Sequence, residues 1–200
     1  MFLEVMIIAG ICILSYFLGC FSSARILARS FRHLNVYKVG TGQADIYNIF
    51  NNVSKSLGTL AATLDMVKIY VYLMILKQVL PLTNYDFLSS NTLIFLFGFF
   101  LMAGHCLPLT HNFKGGRGVF TFTGMMLVFI PFGMLGVMLV AAVLAVFFKQ
   151  YRLAQYLIVL LPPILCYFIH TDSQFILMVV ITALLMGILN FIVSKRLGEI

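Results

Sequence analysis

Residues 119–148, VFTFTGMMLVFIPFGMLGVMLVAAVLAVFF, carry no charged side chain. A membrane-crossing helix needs about 20 apolar residues, or somewhat fewer when its ends sit in protein. The stretch is therefore long for one crossing and short for two. Its one interruption is Pro131-Phe132-Gly133. Proline and glycine at such a point mark a tight turn, so the stretch reads as two short helices divided there or as one long kinked helix. The charges on either side decide between these readings. The 24–56 connection holds Arg25, Arg29, Arg32, Lys38 and Lys55; the 111–118 loop holds Lys114 and Arg117; the 149–153 turn holds Lys149 and Arg152; the tail holds Lys195 and Arg196. These four segments take eleven of the thirteen cations. Dividing the stretch at Pro131 gives seven spans, roughly 2–24, 57–80, 91–110, 119–133, 134–148, 154–170 and 174–193, and puts all four basic segments on one side. The other side keeps Glu4, Asp86 and Asp172, with Lys77 its one cation. One undivided helix would put the 111–118 and 149–153 segments on opposite sides. Basic loops are retained in the cytoplasm. The sequence thus predicts an all-α integral membrane protein of seven transmembrane helices, N-terminus outside and C-terminus cytoplasmic.

Composition points the same way. The 200 residues are 62% hydrophobic and 10% charged, with a mean hydropathy of +1.06. Soluble domains carry about a quarter charged residues. A single membrane domain over residues 1–200 is expected, without room for a soluble one. The formal charge of +7 reflects cytoplasmic loops and not nucleic-acid binding. Cys12, Cys20, Cys106 and Cys166 lie in or beside apolar runs without CxxC spacing, as buried packing residues do. Glu4 precedes any basic residue and no small-residue cleavage site follows, so the first span reads as a retained helix and not a signal peptide. No internal repeat of the kind many transporters show is present, which leaves a small transporter or channel without support. Within 24–56, ARILARSFRHL has helical spacing and predicts an interfacial amphipathic helix leading into an irregular glycine-containing segment.

Four places could carry chemistry. In HNFKGGRG (111–118) two adjacent glycines can turn backbone N–H groups toward an anion, and Lys114 and Arg117 add positive charge. The apolar run that follows predicts a helix N-terminus, which favours anions, although an ordinary basic turn would look alike. A Walker loop is excluded, since GxxxxGK[ST] is absent. VGTGQADIYN (39–48) is a second polar, glycine-bearing loop predicted on the same side, and two such loops on one face could share a phosphate pocket. His105, near the end of the third span, is an ionisable group in an apolar helix; it either serves a site or bonds a neighbouring carbonyl. Asp65 and Lys68, at i,i+3 in the second span, share a face and can pair, as a structural ion pair or to position a ligand. His33 and His111 fall in loops and read as solvated, and His170 as interfacial on the far side. No histidine pair stands at i,i+4 with a carboxylate helper, so metal ligation is not expected.

The string GHCLPLTHNFKGGRGVFT (104–121) closely resembles the GHxFPVFxxFKGGKGVAT signature of the bacterial acyl-phosphate:glycerol-3-phosphate acyltransferases, the PlsY family. VGTGQADIYNIF (39–50) resembles that family's VGSGNPGATNVL, less closely, and LDMVK matches its D-x-x-K. The match runs over roughly residues 15–121. What the resemblance implies is transfer of a fatty acyl group from acyl phosphate to the 1-hydroxyl of glycerol 3-phosphate, giving lysophosphatidic acid and phosphate, at the cytoplasmic face of the bacterial inner membrane, without metal or coenzyme. It further implies that Lys114, Arg117 and the backbone of Gly115, Gly116 and Gly118 bind phosphate. Thr41, Gly42 and Asn48 would line the substrate site, His105 would polarise or position a substrate oxygen, and Asp65 and Lys68 would orient the acceptor or brace the site. His105, Asn48 and Lys114 are the catalytic candidates in this reading. The expected ligands are acyl phosphate, glycerol 3-phosphate and membrane lipid.

The chain departs from the family pattern at several positions. Asp45 stands where a glycine is expected, Tyr47 where a small hydroxyl residue is, and Asn51 where arginine commonly follows. GCFSS replaces the usual GSxP, Tyr37 takes a position often held by arginine, and Arg152 stands alone for serine and arginine positions in the 149–156 region. Lost cations and an added anion both weaken phosphate affinity. The alternative reading is thus a family member that has lost catalysis or changed its acceptor and binds a phosphorylated lipid or partner.

Overall fold

A computed structural model describes residues 2–83, 85–169 and 172–196. Among them are nine α-helices: α1 Phe2–Gly19, α2 Ser23–Arg32, α3 Ile46–Asn52, α4 Lys55–Val79, α5 Asn91–Cys106, α6 Val119–Phe129, α7 Pro131–Val146, α8 Tyr151–Ile169 and α9 Ser173–Arg196. Five helical segments are long and apolar enough to cross a membrane: Phe2–Arg32, Lys55–Leu82, Asn91–His111, Tyr151–Ile169 and Ser173–Ile192. The apolar α6 and α7 have only 11 and 16 residues. At 1.5 Å per residue they reach about 16 and 24 Å, against a hydrocarbon core of about 30 Å.

The break in the 119–148 stretch falls one residue earlier than the turn read at 131–133. Ile130 leaves the helix at φ −133°, ψ 61°, and Pro131 opens α7 with Gly133 inside it. Proline drives the residue before it out of helical geometry and fits the first position of a helix. So Pro-Phe-Gly begins the second helix and does not form the turn. The first span also ends early. Gly19 closes α1, and Ser22 caps α2 by accepting from the Arg25 N–H at 3.2 Å. The interfacial helix expected in the following segment is α2. The irregular stretch expected after it is irregular only to Asp45, which caps the additional helix α3. His170 lies outside the described residues.

Inside a bilayer, water supplies no hydrophobic force between helices, so close approach and polar contacts hold them together. Gly19 of α1 and Gly104 of α5 cross so tightly that a Cβ on either would strike the backbone of the other helix. Tyr16 of α1 donates to the Leu107 carbonyl at 2.7 Å and accepts from the Leu109 N–H at 3.2 Å, pinning α1 to the chain that leaves α5. Farther along the bundle, Phe95, Phe129 and Phe175 bring α5, α6 and α9 together with ring centroids 5.0–5.7 Å apart. The outer faces remain apolar: Ile13, Leu14, Leu139, Leu160, Leu184 and Ile188 are all more than half exposed. Such a surface suits lipid. All four cysteines are free and buried.

Candidate active site

Two loops meet at one end of the bundle. The 107–118 loop starts where Pro108 forbids helical geometry at Leu107 and turns back on α5 through Asn112 and Phe113, both at positive φ. Gly116 then donates its N–H to the His105 carbonyl at 3.1 Å. The backbone packs against the histidine ring here; a Cβ on Gly116 would collide with its Nε2. This corrects the reading of paired glycines as a joint N–H cradle. The Gly116 N–H is spent inside the protein, and the residue's value is that it lets the loop lie on His105. Gly118, at φ 75°, is the N-cap of α6, so the loop does feed a helix N-terminus. Its first N–H groups lack intrahelical acceptors.

The 36–48 segment is organised around Asn48. Its Nδ2 faces the carbonyls of Val36, Val39 and Gln43 at 3.2, 2.9 and 2.9 Å, while its Oδ1 accepts from the Thr41 N–H at 3.1 Å and from Asn52 at 3.0 Å. An amide has two hydrogens, and both are committed to the loop. Asn48 is fully buried. Proposed from sequence to line the substrate site, it is in this geometry the knot that ties the loop. Gly40 and Gly42, at φ 54° and 67°, let the chain turn around it.

Asp45 links the loops. Its Oδ1 accepts from the Asn48 N–H at 2.7 Å as the N-cap of α3, and its Oδ2 lies 3.3 Å from Arg117 Nε. The Arg117 guanidinium sits 5.4 Å from the Tyr47 ring. Tyr37 donates to the Lys114 carbonyl at 3.3 Å. Burial raises its pKa above the ordinary phenol value, against a smaller opposing pull from Arg25, which keeps it a donor. Tyr37 also stacks on His111 at 6.0 Å. His111, read as solvated, is in fact half-buried. Its Nε2 meets Arg25 of α2 and its Nδ1 lies 2.7 Å from Thr110 Oγ1. His33 is exposed, as expected.

Behind the loops lies a buried polar cluster. Asp65 Oδ1 accepts from Ser23 Oγ at 2.7 Å and lies 3.7 Å from Lys68 Nζ and 3.8 Å from His105 Nδ1. Lys68 donates to the Phe21 carbonyl at 2.9 Å. Among the described residues, four buried side-chain atoms have no hydrogen-bond partner: Thr41 Oγ1, Asp65 Oδ2, His105 Nδ1 and Thr121 Oγ1. Buried polar groups are rarely left so, and three of the four belong to residues singled out from sequence. No group of three His, Cys, Asp or Glu that could hold a metal stands together among the described residues.

The two loop cations face different cavities. Exposed Lys114 lines one of about 520 Å³, together with Gln43, Asn112 and Gly116 and with Phe99, Met102, Leu189 and Ile192 of α5 and α9. Buried Arg117 lines another of about 250 Å³, with Arg152, Gln155, Tyr156 and Asn190. Sequence reasoning missed Ser23, Gln43 and Asn190. Asn190 donates to the carbonyls of Met186 at 2.9 Å and Arg117 at 3.4 Å, holding the loop from α9. Its signal was available, since an amide in a span otherwise this apolar needs a partner.

A helical bundle with lipid-facing outer sides and a basic, partly unsatisfied polar site at one end defines a multi-pass membrane protein with a ligand site at its edge. Residues 9–196 match the family described as glycerol-3-phosphate acyltransferase, and the chain belongs to that family. A glycerol-3-phosphate acyltransferase of Campylobacter concisus is 30% identical over 142 residues, covering 70% of this chain and 69% of the relative. One of Fusobacterium nucleatum is 29% identical over 171 residues, covering 86% and 84%. One of Mycoplasma mycoides is 32% identical over 116 residues, but the matched part spans only 44% of that protein's length. The fold is that of PlsY (YgiH), an integral membrane glycerol 3-phosphate acyltransferase. The crystal structure of its glycerol 3-phosphate form superposes with a TM-score of 0.80 at 20% identity, covering 96% of this chain and 92% of that one. The lysophosphatidic acid form gives 0.77 at 21%.

Proposed function

We propose that the chain transfers a fatty acyl group from acyl phosphate to the 1-hydroxyl of glycerol 3-phosphate. The observation that carries this reading is the larger cavity. Its lining joins the cation of Lys114 to apolar side chains of α5 and α9, which suits a ligand that carries both a phosphate and an alkyl chain. The smaller cavity, with Arg117 and Arg152, suits the phosphate of the acceptor. The acceptor hydroxyl oxygen attacks the acyl carbon, the bond from that carbon to the phosphate oxygen breaks, and the hydroxyl proton ends on the departing phosphate. Acyl phosphate is already activated, so no protein nucleophile is needed. Positioning and charge stabilisation carry the rate. Lys114 steadies the leaving phosphate. His105, against which Gly116 packs, holds the loop, and with Asp65 it lines neither cavity; their buried unpartnered atoms would meet a substrate hydroxyl only if it reached past the loop. Asn48, Thr41 and Gly42 act through the shape of the 36–48 loop, which brings Gln43 to the larger cavity.

In the same reading α6 and α7 complete seven crossings, with the N-terminus outside and the loops at the cytoplasmic face of a bacterial plasma membrane. The positive-inside distribution supports that orientation. The test is purified protein in lipid with palmitoyl phosphate and labelled glycerol 3-phosphate. The expected products are 1-acyl-glycerol 3-phosphate and phosphate in equal amounts, and no product at high enzyme loading overturns the assignment. Labelling of a single cysteine placed at position 112 should occur from the cytoplasmic side only.

A further inference from the structure

We infer that Asp45 is a positioning residue that sets phosphate affinity by competing for Arg117; this rests on the reading of Arg117 as a phosphate ligand. The carboxylate is held in place. It is 3% exposed, one oxygen caps α3 at the Asn48 N–H, and the other faces Arg117 Nε at 3.3 Å. Tyr47 backs the guanidinium plane at 5.4 Å. Arg117 is thus held between a fixed anion and a ring, and it forms the wall of the Arg152 and Asn190 cavity. A phosphate entering that cavity meets an arginine whose charge is already partly answered, and it feels the carboxylate beyond. Repulsion across one guanidinium, at the effective dielectric of a protein edge, weakens binding on the order of tenfold. In the proposed reaction the acylated product keeps the acceptor's phosphate, so a looser grip at Arg117 speeds its release. The arrangement trades acceptor affinity for turnover.

The carboxylate has two duties that one substitution separates. Asparagine caps a helix as well as aspartate does, so Asp45→Asn keeps the α3 cap and removes the charge. Binding of inorganic phosphate to the full chain in nanodiscs is measured for wild type, Asp45→Asn, Arg117→Gln and the double variant, together with KM for glycerol 3-phosphate and kcat. The expected result is about tenfold tighter phosphate and a similarly lowered KM in Asp45→Asn with kcat reduced, and no tightening when Arg117 is already Gln. Unchanged or weaker phosphate binding in Asp45→Asn, tightening that persists without Arg117, or no phosphate binding by any of the four proteins overturns the inference. Should Asp45→Asn fail to fold, Asp45→Ser also keeps a capping oxygen without the charge and is read the same way. If no acyl product forms yet phosphate still tightens, the acyltransfer assignment falls and the role of Asp45 stands.

Discussion

Asn48→Asp changes one NH2 group into an oxygen and almost nothing in volume, so it isolates the hydrogen-bond account of the 36–48 loop. In the native loop the amide nitrogen faces three carbonyls within 3.2 Å. After the change an anion faces them. Each lost bond costs about 1 kcal/mol net, and a buried acceptor left unsatisfied costs about 1–3 kcal/mol. Two lost bonds and an uncompensated buried charge together come to about 3–5 kcal/mol. One term opposes this. Position 48 lies in the first turn of α3, where a negative charge gains about 0.3–1 kcal/mol from the helix dipole. The loss wins by several-fold, and the loop should open on the order of 100 times more often, at about 1.4 kcal/mol per tenfold. Limited proteolysis within residues 36–48 reads that opening directly. The reasoning is refuted if Asn48→Asp loses activity while the loop stays as protease-resistant as wild type. That outcome would make Asn48 a direct substrate contact and not the knot of the loop. Asn48→Ala, which removes the bonds without adding charge, should fall between the two.

Three further outcomes are expected. Gly116→Ala drives a Cβ into the buried His105 ring, an overpacking worth about 1–3 kcal/mol, and should lower kcat/KM by about 100-fold through displacement of the loop; Gly136→Ala, where a Cβ meets nothing within 4 Å, should leave melting temperature and activity near wild type. Lys114→Ala should lower kcat/KM for palmitoyl phosphate by roughly 10–100-fold, the value of one charge-assisted bond at about 1.5–3 kcal/mol, with the melting temperature unchanged because Lys114 is exposed; full activity would remove it from the site. Tyr37→Phe removes the bond to the Lys114 carbonyl but keeps the ring on His111, and should cost about 1 kcal/mol or less, seen as a KM effect for acyl phosphate of at most about fivefold.

What the sequence made legible was whatever stood out against lipid. Asp65, Lys68 and His105 are ionisable groups in apolar spans, and gathering together is the arrangement such groups need; Lys68 and His105 both lie within 3.8 Å of Asp65. The two glycine-bearing loops were legible by composition, and they do come together. Hidden was everything set by how a loop folds on itself. Nothing in VGTGQADIYN says that Asn48 spends its amide on three carbonyls, since an asparagine in a polar loop is as often a ligand contact as a turn builder. The Gly115-Gly116 pair looked like an N–H cradle because the carbonyl that accepts the Gly116 N–H belongs to His105, eleven residues earlier in a different element. The Pro131 break was placed nearly right because proline acts on its own neighbour, and such local rules survive without tertiary context.

Asp45 shows where local reading stops. Seen as a single substitution in a phosphate-binding pattern, it adds an anion beside a proposed anion site and argues for lost activity. In three dimensions its charge is matched by Arg117 at 3.3 Å, and its other oxygen does the capping work that begins α3. A buried carboxylate with one oxygen on a helix end and one on a guanidinium is satisfied. The fold thus tolerates it without strain on the loop, and its consequence moves from stability to affinity. Substitutions of this kind are compensated in space by residues far away in sequence, here 72 positions apart. Departure from a linear motif therefore measures the change in a site only after the partner of each new charge is known.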